Sequence, residues 1–321
     1  MQKCVKISVV IVLSVVIGVF VIVVLAAIIS LYTKQQLLKN ALSAIMGTGT
    51  KNRYTPLKTE PVITDPQTQV LDLFASWIVY EFSRNTNVKP DQFTPIITLT
   101  FLDNTKPVIG TVYAYNNNDS SSNLFVVVFR GTQTKKEVKI DLNISQTEVP
   151  GGGKFHTGFW NVFQALEGLS DFVQKVQTVE NPRVLVCGHS LGCALTVLTS
   201  WNLRQIHGVT NVQAILFASP RICDPEFANR YNSLEIQTTR YENTEDFVPQ
   251  LPLAVMFNLT TPTMPWLYNH VGKPVYFSDG QASLSLNHSM VTYQQFVNQL
   301  PPAPPAPPAP PAPPIYLARK E

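Results

Sequence analysis

The stretch Val184-Leu185-Val186-Cys187-Gly188-His189-Ser190-Leu191-Gly192 decides the fold that the sequence predicts. Four apolar residues precede a Gly-x-Ser-x-Gly pattern, and a run rich in Ala, Leu and Val follows it. This order is typical of a strand, a sharp turn at a serine and then a helix, which together hold the serine above the edge of a sheet. The helix that begins at Leu191 would direct its amide hydrogens at the place where negative charge develops during ester attack. We therefore interpret Ser190 as the nucleophile and assign the Leu191 backbone amide to an oxyanion hole.

Strands and helices alternate along the rest of the chain. The runs with β-strand character are 93–102, 108–115, 124–129, 184–187, 212–217, 236–241 and 274–277. The runs with helical spacing of apolar residues are 67–82, 159–176, 191–205 and 290–297. Alternation of this kind predicts an α/β fold, with a mostly parallel central sheet and helices on both faces.

Composition divides the 321 residues into four parts. Residues 1–32 contain an uncharged apolar run from Ile7 to Leu31, long enough for the about 20 residues of a transmembrane helix. We interpret them as an N-terminal signal-anchor, with a cleaved signal peptide as the alternative. Residues 33–60 predict a polar stalk, and residues 61–300 predict one folded domain. Residues 301–321 form a Pro/Ala-rich tail, in which the repeat 301–314 predicts a polyproline rod that is either a spacer or a ligand for a proline-recognition domain.

Charge and cysteine content exclude several classes of protein. The net charge is only +3 and the basic residues are scattered, so we expect no nucleic-acid partner. The histidines and carboxylates lack metal-ligand spacing, and no phosphate-binding loop is present, so we expect no cofactor. Cys187 and Cys193 are interpreted as buried apolar residues, with a redox pair as the alternative.

The flanks of the apolar run suggest a single-pass membrane protein with its folded domain lumenal or extracellular, although the charge bias is slight. Acceptor triplets for N-glycosylation at Asn118, Asn143 and Asn258 fit an exported domain. A further triplet, Asn287-His288-Ser289, includes a residue that we consider for catalysis, where a glycan would block the site.

The partners of a serine nucleophile in this kind of fold follow in the order serine, acid, histidine. Asp246 comes after a predicted strand, where active-site loops gather, and Glu245 is the alternative carboxylate. Asp224 fits a turn or a helix cap better. His288 stands just before a predicted helix and is the first candidate for the base, with His270 as the alternative.

Five motifs in order resemble the class 3 lipase family of α/β-hydrolases: Phe129-Arg130-Gly131-Thr132, His156-Thr157-Gly158-Phe159, Gly188 to Gly192, Pro220-Arg221 and Asp246-Phe247-Val248-Pro249. The resemblance runs from about Leu124 to His288. It implies that the residue after the Arg-Gly pair, Thr132, supplies the second oxyanion donor. It also supports Asp246 and His288 as the acid and the base.

The expected function is hydrolysis of the ester bonds of acyl lipids, either glycerides or phospholipids. The alternatives are a catalytically inactive, membrane-anchored lipid-binding module and another acyl-transfer activity of the same fold. Between Thr132 and His156, where related lipases often carry a helical lid, the residues 138–144 alternate like a strand and are followed by Gly151-Gly152-Gly153. This segment predicts either a rigid edge strand or a mobile loop hinged on the glycines.

Overall fold

A central sheet of eight strands organises the protein in the computed structural model, which describes residues 52–64, 71–101, 107–116, 123–132, 145–256 and 265–300. The strands of this sheet are β1 (Phe93–Phe101), β2 (Val108–Tyr115), β3 (Leu124–Phe129), β6 (Leu166–Glu167), β7 (Arg183–His189), β8 (Asn211–Phe217), β9 (Gln237–Asn243) and β12 (Lys273–Phe277). Their order across the sheet is β12-β9-β8-β7-β3-β2-β1-β6. Two separate two-stranded sheets pair β4 (Gln146–Glu148) with β5 (Lys154–His156), and β10 (Val255–Met256) with β11 (Trp266–Leu267).

The central sheet is mixed, with a parallel half and an antiparallel half. Strands β12, β9, β8, β7 and β3 run parallel to one another. Strands β2, β1 and β6 extend the sheet from β3 by antiparallel pairing. The predicted central sheet is therefore confirmed, and the meander of the first three strands forms its antiparallel side.

Helices cover both faces of this sheet. The helices are α1 (Asp72–Arg84), α2 (Thr157–Gln164), α3 (Leu169–Gln177), α4 (Leu191–Trp201), α5 (Pro225–Ser233), α6 (Leu284–Asn287) and α7 (Met290–Gln299). Side chains of α2, α3, α4 and α5 share one apolar core with Phe125, Val127 and Phe129 of β3. Those of α1 and α7 share the other core with Val126 and Val128. Successive residues of β3 point to opposite faces, as expected for a strand buried on both sides.

The helical run predicted for 159–176 is wrong as a single element. It is divided into α2 and α3 by the short strand β6, which pairs with the edge of β1. At Gly168, φ is +88°, and a Cβ there would lie 2.6 Å from the Thr98 carbonyl oxygen. Glycine is needed because the chain turns in a left-handed conformation directly against β1.

The N-terminal part of the described chain lies on the domain. The Asn52 side-chain amide donates to Thr292 Oγ1 at 3.1 Å, and the Leu57 amide donates to Gln294 Oε1 at 2.7 Å. Both acceptors are on α7. The folded domain therefore begins before the predicted boundary at Pro61, because these main-chain and side-chain groups use α7 as their hydrogen-bond partner.

The three consecutive glycines form a tight turn between β4 and β5. The Val149 amide donates to the Gly153 carbonyl, and a Cβ on Gly153 would lie 2.4 Å from the Phe227 nitrogen on α5. The glycines therefore allow close packing of this turn against α5. The strand-like residues 138–144, on which the choice between edge strand and lid depends, lie outside the described residues.

The predicted anchor, the part of the stalk before Asn52 and the Pro/Ala-rich tail also lie outside the described residues. Within the ranges that the structure does describe, no helix combines the length and the apolar character needed to cross a bilayer.

Candidate active site

Ser190 lies at a sharp turn between β7 and α4. Its backbone has φ 57° and ψ −124°, a conformation that residues other than glycine rarely adopt. A Cβ on Gly188 would lie 2.6 Å from the backbone of Gly192, and a Cβ on Gly192 would lie 2.7 Å from the Phe129 carbonyl oxygen. The two glycines are thus required by close backbone approach, as the sequence pattern predicts.

The segment that follows β3 packs against this turn. The buried guanidinium of Arg130 donates from Nε to the Val108 carbonyl at 2.9 Å and from one terminal nitrogen to the Gly131 carbonyl at 2.8 Å. A Cβ on Gly131 would lie 3.2 Å from both the Ser190 Cβ and the His189 carbonyl oxygen. The Arg-Gly pair therefore fixes this backbone beside Ser190, with Thr132 as the next residue. Sequence reasoning did not foresee this role for Arg130.

Asp246 and His288 are hydrogen-bonded to each other. Asp246 follows β9 and His288 lies between α6 and α7, so 42 positions separate them in the chain. The His288 Nδ1–H donates to Asp246 Oδ2 at 2.8 Å, and both residues are buried. The other two candidate carboxylates have different partners. Glu245 is exposed and accepts from the Ser278 hydroxyl, whereas Asp224 caps α5 by accepting from the Phe227 amide at 2.8 Å.

The Asp246 carboxylate has two further donors. The Tyr293 hydroxyl donates to Oδ2 at 2.7 Å, and the Val248 amide donates to Oδ1 at 3.0 Å. Burial acts to raise the pKa of Asp246, but the adjacent His288 and these hydrogen bonds outweigh it and hold the pKa below its ordinary value. Asp246 is therefore ionised, and an ionised acceptor on Nδ1 leaves Nε2 of His288 as the proton-accepting nitrogen.

His189 connects the turn at Ser190 with His288. Its Nε2–H donates to the His288 carbonyl oxygen at 2.8 Å, and the two imidazole rings lie 4.5 Å apart between centroids. Burial, followed by the neighbouring His288, lowers the pKa of His189 to about 3, so its ring is neutral and one nitrogen can serve as this donor. The residue directly before Ser190 thus contacts the histidine that is paired with Asp246.

His270 occupies a different environment. Its Nε2–H donates to the Pro249 carbonyl at 3.0 Å and lies 3.6 Å from Glu242 Oε1. Burial and the neighbouring Arg240 and Arg221 lower its pKa to about 3. His288, rather than the alternative His270, is therefore the histidine partner of Asp246.

Cys187, Cys193 and His156 have structural roles. Cys187 and Cys193 are buried free thiols, and burial raises the pKa of both. The Cys193 thiol donates to the Phe217 carbonyl at 3.1 Å. His156 accepts from the Phe159 amide at 3.4 Å and so caps α2. The interpretation of the two cysteines as buried residues is confirmed.

Asn287 is not available for glycosylation in this fold, because its side chain is buried, accepts a hydrogen bond from the Gln281 amide and donates one to the Glu245 carbonyl. The other acceptor triplets, at Asn118, Asn143 and Asn258, lie outside the described residues. Besides the roles of Arg130 and His189, sequence reasoning missed three residues of the site: Asn243, Asn287 and Tyr293. The available signal for Tyr293 was a polar side chain on the apolar side of the predicted helix after His288.

A serine at a strand-to-helix turn on the parallel side of a mixed sheet, with helices on both faces, is typical of the α/β-hydrolase type of fold. Residues 126–256 match the model of the family described as lipase (class 3). This match confirms, for that segment, the resemblance to the class 3 lipase family seen in the sequence.

Two curated lipases are similar to this chain in sequence, and one solved structure is similar to it in fold. The chain is 27% identical over 190 residues to a lipase of Rhizomucor miehei, which covers 57% of this chain and 52% of that protein. It is 28% identical over 168 residues to the secreted mono- and diacylglycerol lipase A of Penicillium cyclopium, covering 50% and 53% respectively. The chain thus spans about half the length of these curated relatives. The Rhizomucor miehei lipase propeptide complex shares the fold, with a TM-score of 0.53 at 19% identity over 78% of this chain and 89% of that one.

Proposed function

We propose that this protein is a serine carboxylic-ester hydrolase that acts on acyl lipids through Ser190, His288 and Asp246. The observation that carries the proposal is the buried hydrogen bond between His288 and ionised Asp246, formed beside the turn that presents Ser190. A serine hydroxyl needs a neighbouring base to act as a nucleophile, and a neutral imidazole oriented by a carboxylate supplies that base.

In the first half of the reaction, Ser190 Oγ attacks the ester carbonyl carbon while His288 Nε2 takes its proton. The carbonyl oxygen becomes an oxyanion, which the amides of Leu191 and Thr132 stabilise at the N-terminus of α4. His288 then returns the proton to the alcohol that leaves, and the acyl group remains on Ser190. In the second half, His288 activates a water molecule in the same manner, and hydrolysis releases the fatty acid.

Asp246 has an electrostatic and an orienting role in this scheme. It keeps the proton of neutral His288 on Nδ1 and stabilises the positive charge that the ring acquires in the transition state. A carboxylate with a lowered pKa suits this role, because it stays ionised while the imidazole gains and loses its proton. The hydroxyl of Tyr293 and the amide of Val248 maintain that state.

The lipid substrate is inferred from the class 3 lipase segment and from the relatives named above as lipases. The uncharged run from Ile7 to Leu31 supports the further proposal that a single-pass N-terminal anchor holds the enzyme at a membrane, with the folded domain lumenal or extracellular. Such an anchor would keep the site beside an acyl-lipid substrate. The repeat 301–314 is proposed as a spacer or as a ligand of a proline-recognition domain.

The test compares the purified protein with Ser190→Ala on triglyceride, diglyceride and phospholipid emulsions. Ser83→Ala serves as the matched control, because its hydroxyl bonds to the Val79 carbonyl within its own helix and Ser83 is not one of the proposed catalytic residues. We expect Ser190→Ala to abolish ester hydrolysis and labelling by a fluorophosphonate probe, with little change in the thermal melt. Full residual activity would remove Ser190 from this role. Lipid binding without labelling of the unaltered protein would indicate the inactive-module alternative, and transfer to an added alcohol in preference to water would indicate an acyltransferase.

A further inference from the structure

Two buried asparagines join the chain turn that carries Asp246 to the turn that carries His288. We call residues 243–248 the acid turn and residues 278–289 the base turn. Asn243 is 1% exposed and Asn287 is 8% exposed, and neither belongs to the proposed catalytic residues. Together we call them the asparagine pair. Buried amide side chains are costly unless they are hydrogen-bonded, so their partners indicate what they do.

Asn243 makes four side-chain hydrogen bonds, and three of them connect the end of β9 to the base turn. Its Oδ1 accepts from the Asp279 amide at 2.9 Å and from the Glu245 amide at 3.2 Å. Its Nδ2 donates to the Asp279 carbonyl at 2.9 Å and to the Asn287 carbonyl at 3.3 Å. The donor and acceptor capacity of this amide is therefore fully used, and the bonds are divided between the two turns.

Asn287 makes the reverse connection, from the base turn to the acid turn. Its Nδ2 donates to the Glu245 carbonyl at 2.8 Å, and its Oδ1 accepts from the Gln281 amide at 2.6 Å. Glu245 is the residue before Asp246, and Asn287 is the residue before His288. The asparagine pair thus binds the main chain at the position next to each member of the Asp246–His288 hydrogen bond.

We propose that Asn243 and Asn287 are positioning residues that set the distance and angle between Asp246 and His288. This inference rests on the proposed function, since it concerns the same catalytic hydrogen bond. The two turns follow β9 and β12, which are paired in parallel only as far as Asn243 and Phe277. Beyond those residues the strand ladder no longer fixes one turn against the other, and the asparagine pair supplies cross-links there. Catalytic groups lose efficiency when they move by about 1 Å, so such cross-links matter for rate.

The amide chemistry of the pair suits this place better than a carboxylate would. An Asp side chain at either position could accept hydrogen bonds but could not donate to the carbonyls of Glu245, Asp279 or Asn287. It would also bring a second negative charge close to Asp246 in a buried region, which raises the pKa of neighbouring carboxyls. A neutral group with both donors and acceptors joins the turns without that charge.

The experiment measures kcat and KM separately for Asn287→Ala, Asn243→Ala and Asn287→Asp, together with the rate of fluorophosphonate labelling of Ser190. Asn287→Asp keeps the shape and the acceptor for Gln281 but cannot donate to Glu245, so it preserves packing if the alanine variants fail to fold. All measurements are made at a temperature at which circular dichroism shows each variant to be folded. We expect kcat and the labelling rate to fall by about 10- to 100-fold with KM changed by less than about twofold.

Two controls separate positioning from other effects. Tyr231→Phe removes a buried hydroxyl that bonds to Thr238, away from both turns, and should lower the melting temperature while leaving kcat unchanged. Ser83→Ala, the control used above, removes a hydroxyl from α1 and should leave the labelling rate near that of the unaltered protein.

Folded asparagine variants with unchanged kcat and an unchanged labelling rate would overturn the positioning role. So would a fall in kcat that Tyr231→Phe reproduces when its melting temperature drops by the same amount. Failure of the unaltered protein to hydrolyse any ester or to be labelled overturns the proposed function itself, and the positioning role with it. The two failures are therefore distinguishable.

Discussion

Replacing Ser190 by glycine should make the protein more stable as it destroys the proposed activity. The backbone at Ser190, with φ 57° and ψ −124°, lies in a region that glycine enters without steric cost. Alanine has the same Cβ as serine and keeps the unfavourable conformation. The pair Ser190→Gly and Ser190→Ala therefore separates the cost of the backbone from the loss of the hydroxyl.

The expected magnitude follows from two opposing contributions. A non-glycine residue in such a conformation costs about 1–3 kcal/mol, which glycine would recover. Glycine in turn loses about 0.5–1 kcal/mol because its unfolded chain is more flexible. Ser190 is only partly buried, so little packing is lost. We expect a net gain of about 1 kcal/mol in the free energy of unfolding for Ser190→Gly, and a change within about 0.5 kcal/mol for Ser190→Ala.

Equilibrium urea denaturation of the unaltered protein and both variants, at one pH and one protein concentration, measures these differences. A fluorophosphonate probe confirms that both variants have lost the reactive hydroxyl. If Ser190→Gly is as stable as Ser190→Ala or less stable, the turn does not store the strain inferred from its dihedral angles, and the physical account of the two flanking glycines weakens with it.

Three further substitutions test other parts of the structure. Tyr293→Phe should lower the free energy of unfolding by about 2 kcal/mol at pH 7, because a hydrogen bond to ionised Asp246 is lost. The folded-state pKa of Asp246 is lowered, so the stabilisation from this hydrogen bond is present above the unfolded pKa of about 4 and is lost as the pH falls through the folded pKa. Urea titrations of both proteins at pH 7 and near pH 3 measure this; an equal difference in the free energy of unfolding at the two pH values would contradict it. Gly192→Ala should lower the free energy of unfolding by about 1–3 kcal/mol and remove most of the proposed ester hydrolysis, because its Cβ would lie 2.7 Å from the Phe129 carbonyl oxygen. A thermal melt and an ester assay check the two effects. Burial raises the pKa of Asp72, so the contribution of its protonated form to stability is present below the unfolded pKa and is lost as the pH rises through the folded pKa. Asp72→Asn should therefore stabilise the protein at pH 7 and have little effect near pH 3. Equal melting temperatures of the two proteins at pH 7 would refute this.

The local parts of the site could be predicted from the sequence because short-range sterics determine them. A strand, two glycines and a helix constrain the turn at Ser190 within nine residues, and the dihedral angles of Ser190 agree with that prediction. The pairing of Asp246 with His288 could be anticipated because both residues follow strands on the parallel side of the sheet, whose carboxyl ends meet at one edge.

The missed features depend on contacts between distant parts of the chain. Nothing near Asn243 in the sequence indicates that its amide binds Asp279 and Asn287, about 40 positions later. The break between α2 and α3 arises because β6 reaches the edge of β1, a pairing that helical periodicity alone cannot reveal. The periodic spacing of apolar residues continues through the break, which is why one helix was predicted.

The bonds from Asn52 and Leu57 to α7 change the length of the proposed tether. If the run ending at Leu31 spans a bilayer, only the residues between Leu31 and Asn52 can separate the membrane from the folded domain. Fully extended, 21 peptide steps reach at most about 75 Å, and a relaxed chain reaches far less. A shortened protein that starts at Pro61 would leave Gln294 without the main-chain donor of Leu57. Expression of this domain should therefore begin from a chain that retains Asn52.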